Sequence, residues 1–144
     1  MSKKYAIIAL TGIAAVLAAA PSSKAAVTAA NNYKQGKVYK ITPKSKPFKN
    51  KYVKAPTYNK KTRTYFTIRS YMEKFQKAKK GTLVLKKGTY KITNTIQVPS
   101  NVTIILEKGA KIVKSNQTGT KKMKAATTIF QLIKPSNREK SNVY

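Results

Sequence analysis

The stretch from Gly81 to Lys114, GTLVLKKGTYKITNTIQVPSNVTIILEKGAKIVK, constrains the fold more than any other because it repeats itself. Thr82-Leu83-Val84-Leu85-Lys86-Lys87-Gly88 returns as Thr103-Ile104-Ile105-Leu106-Glu107-Lys108-Gly109, displaced by 21 residues. Each copy is followed by a short β-prone run, Tyr90-Lys91-Ile92 in the first and Lys111-Ile112-Val113 in the second. A further run, Ile96-Gln97-Val98, is closed by Pro99-Ser100-Asn101. Aliphatic and β-branched runs punctuated by Gly and Pro-Ser-Asn read as strands and turns. A period near twenty residues is that of a solenoid, in which each turn buries its inward face on the next. The same letters also fit two tandem antiparallel hairpins, the first turning at Leu85–Thr89 with Gly88 supplying a positive φ.

Gly81-Thr82-Leu83-Val84-Leu85, Gly88-Thr89-Tyr90 and Ile96 through Ile104, with Val98-Pro99-Ser100-Asn101-Val102-Thr103 inside it, resemble the opening coils of the pectate-lyase-like right-handed parallel β-helix superfamily. The resemblance runs from about Tyr58 to the C-terminus and is more specific to fold than to activity. It implies an all-β chain, the start of a right-handed parallel β-helix (solenoid), with one N-terminal amphipathic capping helix. It also implies a parent protein that acts on acidic polysaccharide, as a polysaccharide lyase or a glycoside hydrolase. Catalytic residues of that family sit on later coils, so no catalytic, cofactor-binding or metal-binding residue is carried over to this sequence. The segment is then a non-catalytic, truncated N-terminal part.

The strands expected are Thr82–Leu85, Thr89–Ile92, Thr95–Val98, Val102–Leu106, Lys111–Val113 and Thr128–Ile133, stacked in parallel. Leu83 and Leu85 point inward, with Ile104 and Leu106 over them. Between Thr67 and Lys80 the residues Ile68, Tyr71, Met72, Phe75 and Ala78 recur at steps of three or four, the mark of an amphipathic helix. Glu73 is placed to pair with Arg69 or Lys77, and Gly81 to end the helix. The polar run Ser115–Lys124 reads as a projecting loop, and Pro135-Ser136-Asn137 as a second turn.

Chemistry is bounded by what the chain lacks. There is no Asp, His, Cys or Trp, and the acids are Glu73, Glu107 and Glu139. Disulfides and thiolate metal sites are excluded, and a calcium or transition-metal cage is not expected. Glycoside hydrolysis needs two carboxyl groups flanking the bond, which three scattered Glu do not supply.

Residues 1–25 read as a signal peptide: Lys3 and Lys4, an apolar run from Tyr5 to Ala20, then Ser23-Lys24-Ala25 with small residues at the outer cleavage positions. The cut is expected after Ala25, with Ala29 as the runner-up, giving a secreted, extracellular or cell-wall-associated protein with no membrane attachment. Loss of the segment's three lysines lowers the net charge from +28 to +25. Residues 26–61 form a basic arm in which Tyr33, Tyr39, Phe48, Tyr52 and Tyr58 alternate with lysines, and Pro43, Pro47 and Pro56 interrupt any helix. Residues 62–144 make up the capping helix and first coils.

Such an arm attracts polyanions, and Lys34, Lys37, Lys40, Lys49, Lys54, Lys60 and Lys61 are its candidate contacts. The partners expected are an acidic polysaccharide or an anionic cell-wall polymer, or nucleic acid bound without sequence preference. The competing reading is a linker whose tyrosines pack along the domain while its lysines stay in water.

Overall fold

The computed structural model describes residues 5–11, 14–19 and 34–132. The cleavage region around Ala25 and the Pro135-Ser136-Asn137 turn lie outside them.

The repeat becomes two adjacent strands. β4 (Gly81–Leu85) and β7 (Val102–Glu107) pair in parallel, with Leu83 opposite Ile104 and Leu85 opposite Leu106, so the 21-residue echo is the register itself. Alternation sends Leu83, Leu85, Ile104 and Leu106 into the main core and Val84 and Ile105 to the opposite face. Every residue of β4, and every one of β7 up to Leu106, is buried, the pattern of strands covered on both faces. β3 (Val38–Ile41) adds in parallel to the far side of β4.

The all-β solenoid expected from the sequence is not what forms. β1 (Tyr5–Thr11) runs antiparallel along β7 where a solenoid needs another parallel strand, and β2 (Ala14–Ala19) pairs antiparallel with β1. The result is a mixed five-stranded sheet of order β2-β1-β7-β4-β3. Two more strand pairs stand as separate two-stranded sheets. β5 (Gly88–Ile92) pairs with β8 (Ala110–Lys114), and β6 (Ile96–Val98) with β9 (Phe130–Leu132). The period also drifts, and the register shows why. Gly88 faces Ala110, one residue beyond the echo, and Ile96 faces Phe130 after the long 115–127 segment. The offset between paired strands rises from 21 to 22 to 34 residues. The hairpin alternative fails as well, since β4 and β5 belong to different sheets.

Helix supplies the remaining core, which makes the class mixed rather than all-β. After the short α1 (Asn50–Val53) comes α2 (Arg63–Ala78), which buries Tyr65, Phe66, Ile68, Met72 and Phe75 against the strands. α2 starts four residues before the helix expected from periodicity. The segment before it is held by Thr62, whose buried hydroxyl lies 2.8 Å from the Thr57 carbonyl oxygen and accepts from the Asn59 amide at 2.9 Å. Its end differs too: Lys79, at φ 63°, takes the left-handed cap position, and Gly81 is already strand. Gly81 is needed for another reason, because a Cβ there would fall 1.9 Å from the Phe75 ring.

The 115–124 segment packs instead of projecting. Thr118 and Met123 are buried, Asn59 Nδ2 donates to the Thr118 carbonyl (2.8 Å), and Lys61 Nζ donates to Gln117 Oε1 (3.0 Å). Tyr39, Tyr52 and Tyr58 likewise lie on the helix. Tyr39 contacts Tyr71 and Phe75, while Tyr52 and Tyr58 contact Phe66, with centroid distances of 5.3 to 5.9 Å. Residues 34–61 are therefore laid along the domain through their rings.

Candidate functional site

The C-terminal half of α2 and the segment 36–49 enclose an open groove of about 560 Å³. It is lined by Tyr39, Phe48 and Phe75 together with Lys37, Lys49, Lys74, Lys77 and Lys80, and no acid is on its walls among the described residues.

Backbone contacts fix each wall. The Gln35 amide donates to Thr82 Oγ1 at 2.7 Å, and that hydroxyl lies 2.9 Å from the Gln35 carbonyl oxygen, so the chain entering β3 is tied to β4. Gly36, at φ 61°, then passes so close to Lys80 that a Cβ would sit 2.9 Å from Lys80 Cγ; this approach sets Lys37 beside Lys80. On the opposite rim the Phe48 amide donates to Ser70 Oγ at 2.8 Å, which holds Phe48 and Lys49 against the helix. Phe48 remains 48% exposed at the groove, with Tyr71 packed beside its ring at a centroid distance of 6.0 Å.

The rings and cations interlock. Lys74 Nζ stands 3.9 Å above the Phe48 centroid and 5.5 Å from that of Tyr39. Each such contact is worth about 0.5–1 kcal/mol where it is exposed. Lys49 and Lys77 crowd each other, and the Lys77 ammonium pulls the Lys49 pKa below its ordinary 10.5. An anion between these two ammonium groups would relieve that repulsion and restore the proton affinity of Lys49. Glu73, the nearest acid in sequence, is engaged elsewhere, with Lys51 at 3.2 Å and Arg69 at 3.4 Å. Burial opposes its ionisation, but the nearby Tyr52 phenol, Lys51 and Arg69 outweigh it and hold the Glu73 carboxyl below its usual range. The Tyr52 hydroxyl is beside that carboxylate without meeting full hydrogen-bond geometry, and burial foremost pushes its own pKa up.

Of the lysines singled out by sequence, Lys37 and Lys49 line this groove. Lys34, Lys40, Lys54, Lys60 and Lys61 are exposed but are not among its lining residues, and Lys61 is tied to Gln117. Lys74, Lys77 and Lys80 were missed because they read as the solvated face and end of an amphipathic helix. The spacing of Lys74 and Lys77, three apart on α2, was the available signal for those two, whereas Lys80 follows the left-handed turn at Lys79 and no helical period places it.

No carboxylate pair is built for catalysis among the described residues. Glu73 is on α2 and Glu107 ends β7. Among the described residues no group of three His, Cys, Asp or Glu is placed to hold a metal ion, and no helix is long and apolar enough to cross a membrane. What the groove offers is positive charge beside flat apolar rings. No family model, curated protein or solved structure matches the chain.

Proposed function

We propose that this is an exported protein that holds an acidic polysaccharide, or another anionic cell-wall polymer, in the groove between Lys37 and Lys80, without cutting it. One observation carries the reading: five lysines and the part-exposed Phe48 ring converge on a single groove that, among the described residues, has no carboxylate to neutralise them. Anionic groups at intervals along a polymer would lie against the ammonium groups, and sugar rings against Phe48 and Tyr39. The leader-like residues 1–25 support export, and the resemblance of residues 81–104 to pectate-lyase-like proteins favours a uronate polymer among the polyanions.

The test compares two variants of equal charge. Lys49→Gln/Lys74→Gln/Lys77→Gln empties the groove, whereas Lys86→Gln/Lys91→Gln/Lys111→Gln removes three lysines from other parts of the fold. Binding to a fluorescent oligogalacturonate, read by anisotropy at low salt, should weaken about tenfold or more in the groove variant and only about twofold in the control, since attraction by the remaining net charge is shared by both. Equal losses would show that the net charge, not the groove, binds the polymer.

A further inference from the structure

β7 is composed as an interior strand. Val-Thr-Ile-Ile-Leu-Glu contains no Pro, no Gly and no Lys, and its first five residues are buried. Among the strands that end their sheets, β3 carries Lys40, β5 carries Lys91 and β8 carries Lys111 and Lys114, whereas β6 and β9 are uncharged but only three residues long and β2 is uncharged. Charged side chains on an edge discourage further pairing, and an edge without them invites it. β4 satisfies one side of β7. The other side is taken by β1, in an antiparallel ladder from Tyr5 opposite Glu107 to Leu10 opposite Val102. The occupant is thus part of the segment whose composition marks it for removal.

We infer that the outer edge of β7 is a strand-docking site, for which Tyr5–Thr11 is the resident occupant. Once export removes that occupant, the edge accepts an extended, uncharged, aliphatic segment of another polypeptide in antiparallel register. The export step rests on the reading above, but the docking site does not, because the pairing is present in the unprocessed chain. The partner's chemistry follows from the strand already seated there. That strand, YAIIALT, holds neither a charge nor a proline. A second copy of this chain is disfavoured as the partner, since two processed chains each carry +25 and repel. Main-chain hydrogen bonds supply affinity in this mode, and alternate side chains supply specificity.

The experiment uses the full chain with a specific protease site inserted after Ala25. After cleavage, native mass spectrometry should find the leader fragment still bound. A free peptide of sequence YAIIALT with a soluble tail should displace it. The same peptide N-methylated at alternate amides should do so at least about tenfold more weakly, since it lacks several ladder hydrogen bonds. Immediate loss of the fragment with no peptide binding would overturn the inference. Equal displacement by the methylated peptide would do the same, by reducing the contact to apolar adhesion. Dimerisation on loss of the fragment would overturn the stated partner in favour of a second copy. Failure of polygalacturonate binding would leave these readouts untouched, so the two readings fall separately.

Discussion

Gly81→Ala probes the joint between α2 and β4, the back wall of the groove. The added methyl carbon would lie 1.9 Å from Phe75 Cδ1, 2.3 Å from Cγ and 2.4 Å from Cε1, against an ordinary contact of 3.4–4 Å. The ring must therefore retreat by more than an ångström. It has little room: Phe75 is 1% exposed and packed against Tyr39 and Tyr71 at centroid distances of 5.9 and 6.3 Å. Overpacking of this kind costs about 1–3 kcal/mol. The loss of glycine freedom in the unfolded chain returns about 0.4–1 kcal/mol, so a net destabilisation of about 1–2 kcal/mol is expected. Urea unfolding followed by circular dichroism measures it. A second arm isolates the cause: Phe75→Leu should be less costly in the Gly81→Ala background than in the parent, with a coupling on the order of 1 kcal/mol. If Gly81→Ala proves neutral, or the two changes simply add, the Phe75 contact is not what requires glycine.

Tyr90→Phe should destabilise by about 1–2 kcal/mol, because its fully buried hydroxyl sits 2.7 Å from the Lys86 carbonyl oxygen and 2.9 Å from that of Ile41, and a phenyl ring leaves them short of a donor. Chemical denaturation reads it, and an unchanged midpoint would show that the hydroxyl contributes nothing. The carboxyl of Glu73 has a folded pKa below its usual 4.5, so the stability it contributes is present above that value and lost as pH falls through the lower, folded one. Glu73→Gln should flatten the stability–pH curve in that acid window and leave its shape near neutrality unchanged; a parallel curve would contradict the ion pairs with Lys51 and Arg69. Phe48→Ala should weaken oligogalacturonate binding with little change in its salt dependence, because it removes a stacking face and no charge. A change confined to the salt slope would argue against stacking.

How much of this was legible depends on where the information lies. The β4–β7 register was readable because the echo places identical residue classes 21 apart, and parallel pairing keeps that offset. The buried face of α2 was readable from Ile68, Met72 and Phe75 at helical spacing. The fold class was not. Nothing in YAIIALT separates a leader from a strand, since both are apolar runs of similar composition. Only the unsatisfied edge of β7, a tertiary fact, recruits it. Gly81 was read as a helix terminator, a local role, whereas its constraint comes from a ring packed against it. The groove was half visible. Lys37 and Lys49 belong to the aromatic-lysine pattern, but Lys74, Lys77 and Lys80 become part of the same site only when residues 36–49 are folded against the helix.

A groove holds the polymer in one place, whereas diffuse charge does not. Amide chemical-shift mapping of the full-length protein during titration with short oligogalacturonate separates the two directly. Shifts should concentrate at residues 36–39, 48–49 and 74–80 and be reversed by added salt as screening shortens the reach of the lysines. Shifts spread evenly over the lysines of β5, β8 and the 115–124 segment would contradict binding in the groove, and would leave only a chain whose charge attracts polyanions everywhere.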